Sequence, residues 1–160
     1  MIYFTADHHF GHGNIVKLCN RPFKDVNEMD DALTSYWNET VKRNDTIYAL
    51  GDFAWKRGQE YAKKMNGNKI FLIGDHDRQI TGERLMIVKL QDVWFTLCHW
   101  PLHSWNKQYY GAIHLHGHNH NNPIEEKKNR INVGVDVWNF KPVSIDEILS
   151  KVINLWNENP

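Results

Sequence analysis

The chain has 160 residues, 41% of them hydrophobic and 24% charged, with 19 basic and 19 acidic residues and a formal net charge of zero. That size suits one domain over 1–160 with a substantial core, and the neutral balance excludes a protein whose main task is to coat nucleic acid. Cys19 and Cys98 lack CxxC spacing and no apolar run approaches a membrane span, so reduced thiols, a cytoplasmic location and no membrane partner are expected.

Ile2-Tyr3-Phe4-Thr5-Ala6 is rich in β-formers and predicts an opening strand. It runs into Asp7-His8-His9-Phe10-Gly11-His12-Gly13, where two glycines mark a loop. Asp7 and His9 leave the strand on one side; such a pair suits a metal ion, or in isolation a capping Asp and a surface His. His8 faces the other way. Asn14 to Cys19 predicts one or two helical turns, ended by Asn20-Arg21-Pro22-Phe23. Asp25-Val26-Asn27-Glu28 has capping-box spacing, and Met29, Leu33, Tyr36, Trp37, Thr40 and Val41 follow on one helical face.

Thr46 to Leu50 predicts the second strand, closed by Gly51-Asp52. A helix from about Gln59 to Met65 stops at Asn66-Gly67, a C-cap signal. Lys69 to Ile73 is the third strand, closed by Gly74-Asp75-His76-Asp77. This alternation predicts parallel strands, and open α/β sheets place ligands at their carboxyl ends.

Leu85 to Leu90 and Val93 to Cys98 flank Gln91-Asp92 as a predicted antiparallel hairpin, whose second strand ends in His99. Ala112 to Leu115 predicts a strand ending in His116-Gly117-His118-Asn119-His120, and Ile131 to Val135 another. Lys127-Lys128-Asn129-Arg130 beside Glu125-Glu126 reads as a solvated turn. Ser144-Ile145-Asp146-Glu147 caps a closing helix with Ile145, Ile148, Leu149 and Val152 inward. The expected fold class is α/β: a mixed-sheet β-sandwich flanked by helices.

Five strand ends thus carry candidate ligands: Asp7/His9, Asp52, Asp75/His76, His99 and His118/His120. The ordered motifs Asp7-His8-His9, Gly51-Asp52, Gly74-Asp75-His76-Asp77, His99 and Gly117-His118-Asn119-His120 resemble the calcineurin-like metallophosphoesterase superfamily. Its pattern is DxH, GD, GNH followed by an acid, a lone His and GHxH. Phe10-Gly11-His12, Asn20-Arg21-Pro22-Phe23 and the run from Asn132 to Trp138 resemble its small bacterial and phage branch.

The resemblance implies that superfamily's fold and a site for two divalent metal ions. Asp7, His9, Asp52 and His120 would hold one ion, and Asp52, Asp75, His99 and His118 the other, with Asp52 bridging. It implies hydrolysis of phosphodiesters and/or phosphomonoesters by metal-bound hydroxide, with His76 as the catalytic residue that assists the leaving group. Mixed His/Asp ligation suits Mn, Fe, Ni or Zn better than Mg, and Mn is the expected activating ion. The expected partner is a phosphate-ester substrate, a nucleotide or nucleic-acid end among the candidates, and no obligate protein partner is evident.

His12 and Arg21, near the first ligand loop, are candidate contacts to substrate phosphate; Arg21 beside Pro22 fits a structural salt bridge equally well. Asp77 fits equally as an acceptor orienting His76 and as a plain turn residue. His114 and His116 are expected to pack or to support the ligands. Asp75 stands where the family pattern has Asn, which adds a negative charge, removes an amide donor and implies attenuated activity. The alternative reading is a catalytically weak or silent metal-bound scaffold used for partner binding, against which stands the retained His76.

Overall fold

The computed structural model describes residues 1–125 and 127–158; Glu126 of the expected basic turn, and Asn159 and Pro160 of the expected 1–160 domain, lie outside the described residues. Strands β1 (Ile2–Thr5), β2 (Thr46–Leu50) and β3 (Asn68–Leu72) are parallel neighbours, as the strand–helix alternation predicts. Helices α1 (Gly13–Leu18), α2 (Val26–Thr40) and α3 (Gly58–Lys64) form the crossovers. The two-residue period of β2 divides its side chains between two layers. Ile47 and Ala49 join Met29, Leu33 and Trp37 of α2 and Tyr61 of α3 on one face. Tyr48 and Leu50 turn to the other.

That other face meets a second sheet built from β4 (Leu85–Leu90), β5 (Val93–Cys98), β6 (Ile113–His116) and β7 (Arg130–Asn132), in that spatial order. β4 and β5 are antiparallel, joined by Gln91 and Asp92, which both take positive φ (45° and 64°), the turn that two-residue hairpins favour. β5, β6 and β7 run parallel. Strand β8 (Val143–Ser144) returns antiparallel to β1 and completes the first sheet in the order β3-β2-β1-β8. Between the sheets lie Phe4, Leu50, Leu72, Phe95, Leu97, Ile113 and Leu115, joined by Ile145, Ile148 and Val152 of α4 (Ile145–Glu158). The fold is therefore the mixed-sheet sandwich with flanking helices.

The two expected capping boxes form differently. Ser144 Oγ accepts from Glu147 N at 3.3 Å while Glu147 Oε2 accepts from Ser144 N at 2.9 Å, a complete box. Asp25 accepts from Asn27 N and Glu28 N, but Glu28 Oε2 turns to Lys24 N at 2.6 Å, one residue further back. Two boundaries also differ. Gly67 is not the C-cap of α3; the cap is Met65, and Gly67 (φ 89°) makes the turn into β3. The strand expected over Ile131 to Val135 stops at Asn132 because Asn132 Oδ1 takes Gly134 N at 2.7 Å, and Val135 N then donates to Ala6 O at 3.0 Å. The chain thereby leaves the second sheet and crosses to the end of β1. Among the described residues no helix is long and apolar enough to cross a membrane.

Candidate metal centre

The loops after β1 and β2 run side by side beyond their strands: Asp7 N donates to Gly51 O (3.1 Å), His9 N to Asp52 O (2.9 Å) and Phe10 N to Phe53 O (3.0 Å). Asp7 (φ 61°), His9 (55°), Asp52 (52°), His118 (71°) and His120 (50°) all sit in the left-handed region. Side chains rarely adopt it, at about 1–3 kcal/mol per residue, and such residues cluster at functional sites. Two motif glycines are there for space. A Cβ on Gly117 would lie 2.5 Å from Ala6 Cβ and 2.6 Å from Asp7 Oδ2, and one on Gly74 would strike the Asp52 carboxyl.

Asp52 is the hub. Its Oδ2 lies 3.5 Å from His9 Nε2, 3.5 Å from His99 Nε2 and 3.8 Å from His76 Nε2, while its Oδ1 accepts from His76 N at 2.9 Å. Asp7, His9 and His120 form one group with a potential ligand atom from each within 4.8 Å of the others. Asp75, His99 and His118 form a second, and Asp52 groups with Asp7 and His99 and with His9 and His76. Asp7, His9, Asp52 and His99 are buried. The Asp75 and His118 side chains are 45% and 43% exposed, so the centre has an inner and an outer side.

Two imidazoles are fixed in the tautomer a cation needs. His99 Nδ1 donates to Leu50 O at 2.9 Å, which leaves the Nε2 lone pair facing Asp52. His120 Nδ1 donates to Asp136 Oδ2 at 2.8 Å, which leaves Nε2 for the Asp7 and His9 group.

Both nitrogens of the buried His9 ring, and Nε2 of His99, have no hydrogen-bond partner among the described residues. Leaving such a group buried costs about 1–3 kcal/mol. Burial pushes the Asp7 carboxyl up to about 6, against the pull of His99 and His120, and pushes His9 down to about 2. Burial also acts to raise Asp52, but the nearby His99 and His9 imidazoles and the His76 amide outweigh it and hold its carboxyl low. For His120 burial acts downward, but the Asp136 carboxylate wins and lifts it to about 10. Buried carboxylates stand here beside ring nitrogens of His9 and His99 that no hydrogen bond occupies, so a cation can enter by displacing the protons of the raised imidazoles. The donor set fits divalent cations.

The supporting residues differ from expectation at two points. Arg21 does not reach the cleft. Its side chain is 0% exposed and forks onto Asp136, with Nε to Oδ1 and Nη2 to Oδ2 both at 2.8 Å; Nη1 holds His8 O (2.9 Å) and Nη2 holds Asp7 O (2.6 Å). With Nη1 also reaching Met29 Sδ at 3.4 Å, all five guanidinium N–H groups are engaged, and of the two readings the structural salt bridge is the one this structure forms. Asp77 neither orients the His76 ring nor merely turns the chain. Its carboxylate is buried and accepts from Asp52 N (2.6 Å), Phe53 N (2.8 Å) and Gly74 N (2.9 Å), which fastens two ligand loops together.

Asp136, on which Arg21 and His120 converge, escapes the sequence reading. It lies in the run from Asn132 to Trp138, where nothing local marks it as the orienting partner of a histidine. His12 stacks on Trp55 (4.6 Å between centroids, 13°) and lies 6.0 Å from the His76 ring, at the rim of the centre. His8 is buried against Phe10 and Trp37, away from the ligands. His114 accepts from Leu102 N at 3.0 Å and so pins the segment after His99, while His116 pairs with Gly117 O at 2.8 Å. Burial holds both near 4, neutral at physiological pH.

No protein-family profile matches the chain. It is 38% identical over 162 residues to the uncharacterized protein MJ1445 of Methanocaldococcus jannaschii, across 94% of this chain and 90% of that protein. That identity over nearly the whole of both proteins places them in one family. A further relative is the gene 66 protein of Mycobacterium phage L5, 27% identical over 98% of this chain and 96% of that protein. The crystal structure of AQ665, a protein of unknown function from Aquifex aeolicus, shares the fold: the TM-score is 0.73 at 24% identity, over 94% of this chain and 98% of that one. The two-sheet sandwich shared with AQ665 thus stands together with clusters of candidate metal ligands.

Proposed function

We propose that the chain is a metal-dependent phosphoesterase acting on phosphodiesters, phosphomonoesters or both. Asp7, His9, Asp52 and His120 would hold the inner of two divalent cations, and Asp52, Asp75, His99 and His118 the outer. The observation that carries this reading is the pair of buried ring nitrogens His9 Nε2 and His99 Nε2, each 3.5 Å from Asp52 Oδ2 and without a hydrogen-bond partner among the described residues. Divalent cations at such a centre, Mn in our reading, supply Lewis acidity toward a phosphate ester and make water a stronger nucleophile at neutral pH.

The chain's own residues do the rest. Asp52 is shared between the two sides through Oδ2. Asp7, fixed by the His118 amide on both oxygens (3.0 Å each), anchors the inner side. His76 is held at the open edge by its backbone N–H on Asp52, and its ring, 38% exposed, meets the leaving oxygen of an incoming ester and gives it a proton. His12, on the same rim, contacts the substrate phosphate. An outer side this open to solvent accepts a diester as readily as a monoester, a nucleotide or nucleic-acid end included.

Chelator-treated protein should regain hydrolysis of p-nitrophenyl phosphate and bis-p-nitrophenyl phosphate on addition of Mn, and to a lesser degree with Ni, Zn or Mg. Metal-bound protein that turns over neither ester would move the reading to the silent scaffold. Asp75→Asn, which places the asparagine of the resembled pattern there and removes one negative charge, should raise kcat roughly fivefold at saturating metal, the effect of one half-exposed charge of about 1 kcal/mol. Equal or lower kcat in the Asn form would show that Asp75 does not attenuate the centre.

A further inference from the structure

Trp100 follows the buried His99 directly and reaches the outer side of the centre. Its indole Nε1 donates to Asp75 Oδ2 at 3.2 Å. The same oxygen lies 3.4 Å from His118 Nδ1 and 4.0 Å from His99 Nε2. Asp75 is half-exposed, and the indole is its one side-chain hydrogen-bond partner among the described residues. The indole is itself held. The His99 ring stands edge-on to it (5.2 Å, 83°), and the Arg84 guanidinium lies 5.7 Å from its ring centroid. The backbone just beyond is pinned where Leu102 N bonds the buried His114 ring.

We propose that Trp100 is a positioning residue for the outer metal position: its indole N–H holds the Asp75 carboxylate against His99 and His118. A half-exposed aspartate otherwise samples several rotamers and hydrogen-bonds to water, and each wrong rotamer removes a ligand from the outer position. Indole is a donor only, and a carboxylate accepts a stronger hydrogen bond than an amide does. The tryptophan therefore suits the aspartate that stands here in place of the asparagine of the resembled pattern. Among the described residues no hydrogen bond or ring contact joins Trp100 to Asp7, His9, Asp52 or His120, which would hold the inner ion, so that position does not depend on the indole. This inference rests on the metal centre proposed above.

The test counts metal rather than turnover. Chelator-stripped protein is dialysed against graded Zn²⁺, and bound zinc is measured by mass spectrometry for the unsubstituted chain, Trp100→Phe and His118→Ala. Trp100→Phe keeps an aromatic ring beside His99 and Arg84 and removes the donor. The first equivalent should bind alike in all three. The second should weaken about tenfold or more in Trp100→Phe, the usual consequence of losing a ligand-orienting partner, and vanish in His118→Ala. A second equivalent as tight in Trp100→Phe as in the unsubstituted chain overturns the proposal and leaves the metal centre standing. Fewer than two equivalents in the unsubstituted chain overturn the two-metal reading, and this proposal with it. If Trp100→Phe does not fold, the indole ¹H–¹⁵N resonance of Trp100 in the unsubstituted chain decides: it shifts with the second equivalent if the bond to Asp75 serves that position. A resonance unmoved through both equivalents overturns the idea.

Discussion

His76→Ala protein should hydrolyse phosphate esters about 10²–10⁴-fold more slowly than the unsubstituted chain, with unchanged metal content. The backbone N–H of residue 76 holds Asp52 Oδ1 and survives the substitution, so the hub carboxylate keeps its place. What disappears is an imidazole at the open edge, 5.1 Å from the Trp55 ring and 5.4 Å from the His9 ring, where a leaving oxygen would depart. A proton donor matters most when the leaving group is a poor one. The loss should accordingly be smaller for p-nitrophenyl esters, whose phenolate leaves readily, and larger for phenyl or alkyl esters. Rates across such a series, read beside metal content, check the role. The same fall for every leaving group would remove the general-acid assignment. A loss of bound metal would make His76 a ligand, an arrangement open to it because His9, Asp52 and His76 can close on one point.

Arg21→Ala should destabilise the fold by about 3–5 kcal/mol, the cost of breaking a buried ion pair, because the buried Asp136 carboxylate keeps only the His120 ring as a partner. The Arg21 and Asp136 side chains are 0% and 3% exposed, so solvent screens little of this. The Asp7 and His8 carbonyls lose their donors in the same step. Thermal unfolding should show a fall in Tm of roughly 6–20 °C for a domain of this size. Arg21→Lys should recover only part of the loss, since an ammonium cannot reproduce the two-point fork on Asp136. A folded Arg21→Ala protein of near-normal Tm but raised KM would reverse the assignment and make Arg21 a substrate contact after all.

How readily each part of the centre could be read from the chain follows from how local its cause is. A ligand at a strand end leaves a local trace, because the apolar run must stop and the chain must bend at once. Ile47 to Asp52 and Lys69 to Asp75 carry that trace, and the parallel pairing of β1, β2 and β3 follows from the helices between them. The glycines of the motifs are legible for the same reason, although their purpose is not: at Gly74 and Gly117 the need is for space against Asp52 and Asp7. Arg21 shows the opposite case. A guanidinium fits a phosphate and a carboxylate equally well, and its carboxylate lies 115 positions away in the chain. Asp77 is similar, since the amides it gathers include those of Asp52 and Phe53, 25 and 24 positions back.

Residue types and their order were thus enough to reach the sandwich and the set of residues that meet at the centre, because strand-end chemistry is written in neighbouring positions. Which imidazole nitrogen keeps its lone pair, which carboxylate braces a loop and which side of the centre meets solvent depend on atoms brought together from distant positions. His99 acquires its tautomer from Leu50, His120 from Asp136, and Asp75 its partner from Trp100. Hydrogen bonding and burial act over a few ångströms of space, whatever the separation along the chain, and so these features exist only once the two sheets have packed.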